Sequence, residues 1–262
     1  MQYKDFAIDI AREAGKIIKN NFVLGMEKKW KSDNSPVTET DLTVNELLLA
    51  GVKANFPDHR IRAEEKSDMK GTSEFVWVCD PVDGTIPFSH GIPICTFSLA
   101  LTKNGESILG VAYDPFQDRL FTAVKGEGAH LNNKAIHVSK ANRFKGSAGE
   151  FEMYETAYFN FFELAKHLTF KEGVKLMKFS SFVYPSMLVA AGELAFSLFP
   201  GTAPHDAAAV KVIVEEAGGK VTNIFGEEQR YDQDIQGLIV SNGVLHDQLV
   251  KLAKELVTKT QP

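Results

Sequence analysis

WVCDPVDGT, residues 77 to 85, ends an apolar run with two aspartates three positions apart around a proline, then closes on glycine and threonine. The run Phe75 to Cys79 is rich in branched and aromatic residues and predicts a buried strand, so Asp80 falls where the chain leaves a sheet. Pro81 fixes one backbone angle and removes a donor, which lets Asp83 point into the same small volume. Two adjacent anions in a partly dry site are costly unless a proton or a cation lies between them. Oxygen-only donors favour magnesium, manganese or calcium over zinc, and the Val82 carbonyl is a further hard donor. Gly84 permits close backbone approach, Thr85 resembles a helix N-cap and Pro87 is tolerated in a first turn, so a short helix with free amides can begin here and meet an anion. An Asp-Pro turn with ordinary helix caps accounts for the nonapeptide equally well.

Outward from this turn the hydrophobic period changes along the chain. Phe6, Ile10, Ala14, Ile17 and Ile18 predict an amphipathic helix over residues 3–22, and Val44, Leu47, Leu48 and Val52 a second, with Asp41 at or near its start. From residue 60, RIRAEE, FVWVCD, ICTFSLALT, ESILGVAYD and RLFTAVKG read as strands of one sheet, with an Asn-Gly hairpin signal in TKNGES. YETAYFNFFELAKHL, SMLVAAGELAF and DAAAVKVIVEEAGG read as helices, KVTN and GLIVSN as strands. The outcome is a layered α/β architecture with two sheets. A soft boundary near residue 140 separates an N-terminal half, 1–140, from a C-terminal half, 141–262, within one compact unit.

The chain has 262 residues, 44% of them apolar, enough to bury a full core. Its 29 basic and 34 acidic residues are interspersed, and the net charge of -5 offers neither a basic stripe for nucleic acid nor a polybasic membrane patch. The N-terminal charge pattern is not that of a signal peptide, and no long apolar run follows, so a soluble cytoplasmic protein is expected. Cys79 and Cys95 both lie in apolar runs and read as buried thiols.

Other acids stand at predicted element ends. Glu64 and Glu65 close RIRAEEK, and Asp206 opens the helix in GTAPHDAAAVKVIVEEAGG. Taken singly, the glutamates read as surface charges, Asp41 and Asp206 as caps. Their joint occurrence with Asp80 and Asp83 strengthens the case for a cation site.

VTETD, AEEKSD, WVCDPVDGT, GVAYDPFQDRLFTAVKGEGAHLNNKAIHVS and HDAAAVKVIVEEAGG, in this order and spacing, resemble the inositol monophosphatase family over nearly the whole chain. The resemblance implies a layered αβαβα sandwich with two sheets, of the α+β sugar-phosphatase type. It implies a magnesium-dependent, lithium-sensitive phosphomonoesterase that hydrolyses a small phosphorylated alcohol with metal-activated water. Glu64, Asp80 and the Val82 carbonyl would hold a first magnesium; Asp80, Asp83 and Asp206 would surround a second, with a third ion near Asp41 and manganese as a substitute. Asp41 and Thr85 would orient and deprotonate the attacking water, with Glu64 also in the catalytic set. The Gly84 and Thr85 amides would hold phosphate, and Lys31 would lie in a mobile loop over the metals. A homodimer is implied on the same ground.

The chain departs from the family on the alcohol side. His205 precedes Asp206 where the family has tryptophan; it reads as a substrate contact or as a partly buried polar neighbour. Phe199 aligns with a glutamate that accepts hydroxyls in inositol phosphate enzymes, Ser180, Ser181 and Phe182 with a small Gly-Thr-Ala segment, and Ala195 with a common aspartate. A wall that loses paired polar contacts loses discrimination for a polyol. Histidinol phosphate, fructose 1,6-bisphosphate and a 3'-phosphonucleotide are therefore alternative substrates, and a regulatory binding module on the same fold is the alternative outside enzymes.

Overall fold

The computed structural model describes residues 2–32 and 35–260. Helix α1 (Gln2–Asn21) buries Ala7, Ile10, Ala11, Ala14 and Ile18 at intervals of three and four, as the apolar spacing predicts. A small antiparallel pair, β1 (Lys29–Trp30) and β2 (Pro36–Val37), leads into α2 (Glu39–Asn55). The principal sheet has seven strands in chain order: β3 (Arg60–Ala63), β4 (Phe75–Asp83), β5 (Thr96–Lys103), β6 (Glu106–Asp114), β7 (Arg119–Val124), β8 (Ala129–Leu131) and β9 (Lys134–Ala135). Only β3 and β4 are parallel. Asn104 and Gly105 form the two-residue connection between β5 and β6, both at positive φ (53° and 86°), the conformation this dipeptide favours in hairpins. The short α3 (Thr85–Ser89) follows β4.

The second sheet contains β10 (Ala148–Phe151), β12 (Lys175–Met177), β13 (Phe196–Phe199), β14 (Lys220–Thr222) and β15 (Leu238–Ser241), in the order β12-β10-β13-β15-β14. Helices α4 (Phe162–Phe170), α5 (Val183–Ala190), α6 (Ala208–Glu216) and α7 (His246–Leu256) complete the fold, with β11 (Phe159–Asn160) paired to β16 (Thr258–Lys259).

Three apolar clusters define the layers. One joins α1 and α2 to one face of the principal sheet, through Val44, Leu48, Trp77 and Leu99. The second sandwiches α5 and α6 between the two sheets, through Val78, Ala112, Met187, Val210, Ile213 and Val240. The third closes the outer face of the second sheet with α4 and α7. The architecture is therefore the αβαβα sandwich. At Gly110 a Cβ would stand 2.6 Å from Val212 Cγ1 and 2.9 Å from the Ala209 carbonyl, so the missing side chain is what lets α6 lie against β6. The two halves thus share a core layer.

Cys79 and Cys95 are buried free thiols, as expected. No helix among the described residues is long and apolar enough to cross a membrane. Two readings of the second half need correction. Helix α4 begins at Phe162, and residues 154–161 form a turn and a short strand instead of its first turns. Helix α5 stops at Ala190, before Gly192 at φ 81°, and the residues up to Phe196 lead into a buried strand. The amphipathic α7, which buries Leu249 and Ala253, was not anticipated.

Candidate active site

Residues three apart on a regular strand face opposite sides of a sheet. Asp80 and Asp83 do not, because the register between β4 and β5 shifts: Asp80 pairs with Ser98 and Asp83 with Thr96, so Pro81 and Val82 together oppose Phe97. This bulge turns both carboxylates to one side. Asp206, just before α6, completes a set in which oxygen atoms of Asp80, Asp83 and Asp206 lie within 4.8 Å of one another. A second set with the same spacing contains Glu64, Asp80 and His205.

Each acid is fixed by a local device. Asp80 Oδ1 accepts the Val82 amide at 2.9 Å. Asp83 accepts Thr96 Oγ1 at 2.7 Å, Ser181 Oγ at 2.5 Å, the Phe182 amide at 2.8 Å and the Tyr184 amide at 3.2 Å. Ser180 adopts φ 53°, the left-handed region that glycine enters at least cost, and so aims the next two residues at Asp83. Asp41 is the third residue of α2; its Oδ2 accepts the Thr38 amide at 2.9 Å and the Thr38 hydroxyl at 2.5 Å in a capping box. Its Oδ1 accepts Thr85 Oγ1 at 3.1 Å, and the same hydroxyl lies 2.9 Å from the Val82 carbonyl. Asp41 is therefore both a helix cap and a neighbour of the cluster. The N-cap of α3 is Gly84, at φ 87°, and not Thr85, which is the first helical residue.

The electrostatics describe a site short of positive charge. Burial, then Glu64, Asp206 and Asp83, pushes the Asp80 carboxyl well above its ordinary range, and burial with Asp83 does the same to Asp206. Burial also raises Asp83 and Asp41, against the hydrogen bonds each accepts. Burial works against the charge on Glu64, but His205 and Lys31 outweigh it and hold this carboxyl below its usual value. Burial pushes the His205 imidazole down in turn, and Lys31 adds a direct hydrogen bond to its attraction on Glu64. Lys31 Nζ donates to Glu64 Oε1 at 2.8 Å and to Glu65 Oε1 at 2.5 Å. The donor set is carboxylate-rich, clustered and repulsive without a cation, which fits a hard divalent ion.

Most of these groups line a cleft of about 550 Å³. Lys31, Glu64, Asp80, Val82, Asp83, Gly84, Thr85 and Asp206 lie on it, as do Ser180, Ser181, Phe182, Phe199 and His205, whereas Asp41 stands behind Thr85. Phe182 packs on Phe199 with ring centroids 4.7 Å apart. Ala195 is buried in the cluster of the second sheet. Sequence reasoning missed Thr96, which positions Asp83, and two buried glutamates, Glu150 and Glu152, of which Glu152 lines the cleft. Their alternation in AGEFEM was the available signal.

A five-layer sandwich with acids gathered at the bulged end of β4 defines a protein with an oxygen-donor cluster, able to hold a cation, set in a cleft. Comparison with known proteins narrows this: residues 2–258 match the model of the inositol monophosphatase family, and the chain belongs to that family. It is 33% identical over 259 residues to the fructose-1,6-bisphosphatase/inositol-1-monophosphatase of Thermotoga maritima, covering 98% of each chain. It is 32% identical over 231 residues to the Nus factor SuhB of Escherichia coli, covering 85% of each. A solved IMPase structure from Thermotoga maritima superposes with a TM-score of 0.86 at 30% identity, covering 97% of this chain and 98% of that one. Membership supports a phosphatase.

Proposed function

We propose that the chain is a magnesium-dependent phosphomonoesterase acting on a small phosphorylated alcohol of the inositol monophosphate type. The observation that carries this reading is the convergence of Asp80, Asp83 and Asp206 within 4.8 Å, beside Glu64. Glu64, Asp80 and the Val82 carbonyl would hold one magnesium, and Asp80, Asp83 and Asp206 another, with manganese as a substitute and a third ion near Asp41. Bound there, the ions supply charge neutralisation for the phosphate and acidify water. Asp41 and Thr85 then take and relay the proton of the attacking water, an assignment supported by their mutual hydrogen bond. The Gly84 and Thr85 amides receive phosphate oxygens, and Lys31 closes the entrance through Glu64 and Glu65. A cytoplasmic homodimer, inhibited by lithium and engaging neither nucleic acid nor membrane, completes the proposal on family grounds.

A regulatory binding module is the second reading, favoured by the relative that is a Nus factor. Phosphate release from a panel of esters, with and without magnesium, separates the two. Magnesium-dependent release that is abolished by Asp80→Asn supports the enzyme; no release from any ester supports the module.

A further inference from the structure

The two donor sets of the cleft differ in kind. Asp80, Asp83 and Asp206 offer oxygen alone, whereas the second set joins Glu64 and Asp80 to a nitrogen of His205, with its donor atoms within 4.8 Å of one another. His205 is a departure of this chain, because the family has tryptophan before the aspartate, and an indole N–H has no lone pair for a metal.

The backbone fixes the imidazole beside the acids. The Pro204 carbonyl accepts the Ala207 amide at 3.0 Å and the Ala208 amide at 2.9 Å, so His205 and Asp206 share one turn at the start of α6. The ring lines the cleft with Glu64, Asp80, Val82 and Asp206, and only 19% of the side chain is exposed. Its Nε2 stands 3.8 Å from Asp206 Oδ2, beyond hydrogen-bond reach, so this nitrogen is not committed to its neighbour. Donor atoms on one ion, at bonds of about 2.0–2.2 Å, lie up to about 4.4 Å apart, a spacing that the Glu64, Asp80 and His205 atoms reach with a small side-chain movement.

Charge and donor type decide what such a position holds. Glu64, Asp80, Asp83 and Asp206 already supply the negative charge that two divalent ions balance, so a further donor has to be neutral. Imidazole ligates metals in its neutral form. Magnesium takes oxygen ligands and gives up water reluctantly, whereas imidazole favours first-row transition ions; two carboxylates and a carbonyl beside it keep the position hard enough for manganese.

We infer that His205 is a nitrogen ligand of the first cation position, beside Glu64, Asp80 and the Val82 carbonyl, and that it makes this position select manganese over magnesium. The all-oxygen set keeps magnesium. This selectivity rests on the cation centre of the phosphatase reading. The test takes the chelator-stripped full chain, titrates it with manganese alone and against magnesium, and records pulsed electron paramagnetic resonance of the manganese-loaded protein. A histidine nitrogen coupled to manganese is expected in the wild type and is lost in His205→Gln, where the preference for manganese over magnesium falls at least about tenfold. His205→Trp, which carries the family's residue, should match it and serves where the first variant does not fold. Manganese bound without nitrogen coupling, coupling that persists in a folded variant, or an unmoved preference overturns the ligand assignment and leaves the cation centre standing. A wild type that binds neither ion overturns both.

Discussion

The Thr85 hydroxyl lies 3.1 Å from Asp41 Oδ1 and 2.9 Å from the Val82 carbonyl, so its single proton is offered to two acceptors on different elements. The other Asp41 oxygen is committed to Thr38, which holds the carboxylate against rotation. On the proposed reading, the pair moves a proton only while that contact exists. Thr85→Val and Asp41→Asn should each lower kcat by about 10²–10⁴-fold with little change in KM, and Thr85→Ser should keep most of the activity. Steady-state phosphate release at saturating magnesium decides this. A Thr85→Val enzyme with wild-type kcat rules out the relay.

Asp206 gives a test that needs no substrate. Burial, Asp83 and Glu64 all oppose its charge, so without cations it contributes repulsion. Replacing it with asparagine should raise the melting temperature of cation-free protein by about 2–4 °C per kcal/mol of relief, while removing most of the stabilisation that magnesium confers on the wild type. Thermal melting with chelator and with magnesium reads both effects. Equal stabilisation of the two proteins by magnesium would show that Asp206 is not a ligand.

Lys31 occupies the ground between the cluster and Glu65. Its ammonium is bonded to Glu64, one of the oxygens proposed for a cation, and adds positive charge nearby. Lys31→Met should therefore tighten magnesium binding several-fold, since it frees a carboxylate and removes a like charge. Calorimetric titration with magnesium measures this. The same substitution releases the strongest attraction on Glu65, whose carboxyl burial and Glu64 push up to about 6.

The WVCDPVDGT turn was legible because its chemistry is local: two acids, a proline and a glycine within a few residues leave few arrangements. The convergence of its acids depends on a bulge whose partner, Phe97, lies on another strand. Strands β3 to β7 of the principal sheet were legible from short branched and aromatic runs closed by turns, whereas the short β8 and β9 were not. Strand β10 was not either, because Ala148 to Phe151 is too short for its alternation to stand out and becomes a strand only between β12 and β13. Glu150 and Glu152 were lost with it. Ser181 and Phe182 were expected to face substrate, but half of their work is to hold Asp83, and that contact joins positions about 100 apart in the chain.

Glu152 also makes a prediction about stability. Its carboxyl has an ordinary value of 4.5 and is pushed to about 7 by burial, so between these values the folded state binds more protons than the unfolded one. Stability from this group is then fully present below pH 4.5 and is lost as pH rises to about 7. The ionisable groups facing it are Glu150 two residues back, Lys178 beyond β12 and Asp83 at the end of β4, and burial with Glu152 pushes the Glu150 carboxyl well up as well. Glu152→Gln cannot ionise, so cation-free variant and wild type should differ least near the lower bound. At pH 8 the variant should be more stable by about 1–3 kcal/mol. Denaturant unfolding of both proteins across this range checks the sign, and a wild type that gains stability on the variant as pH rises would show that Glu152 is ionised and well paired in the fold.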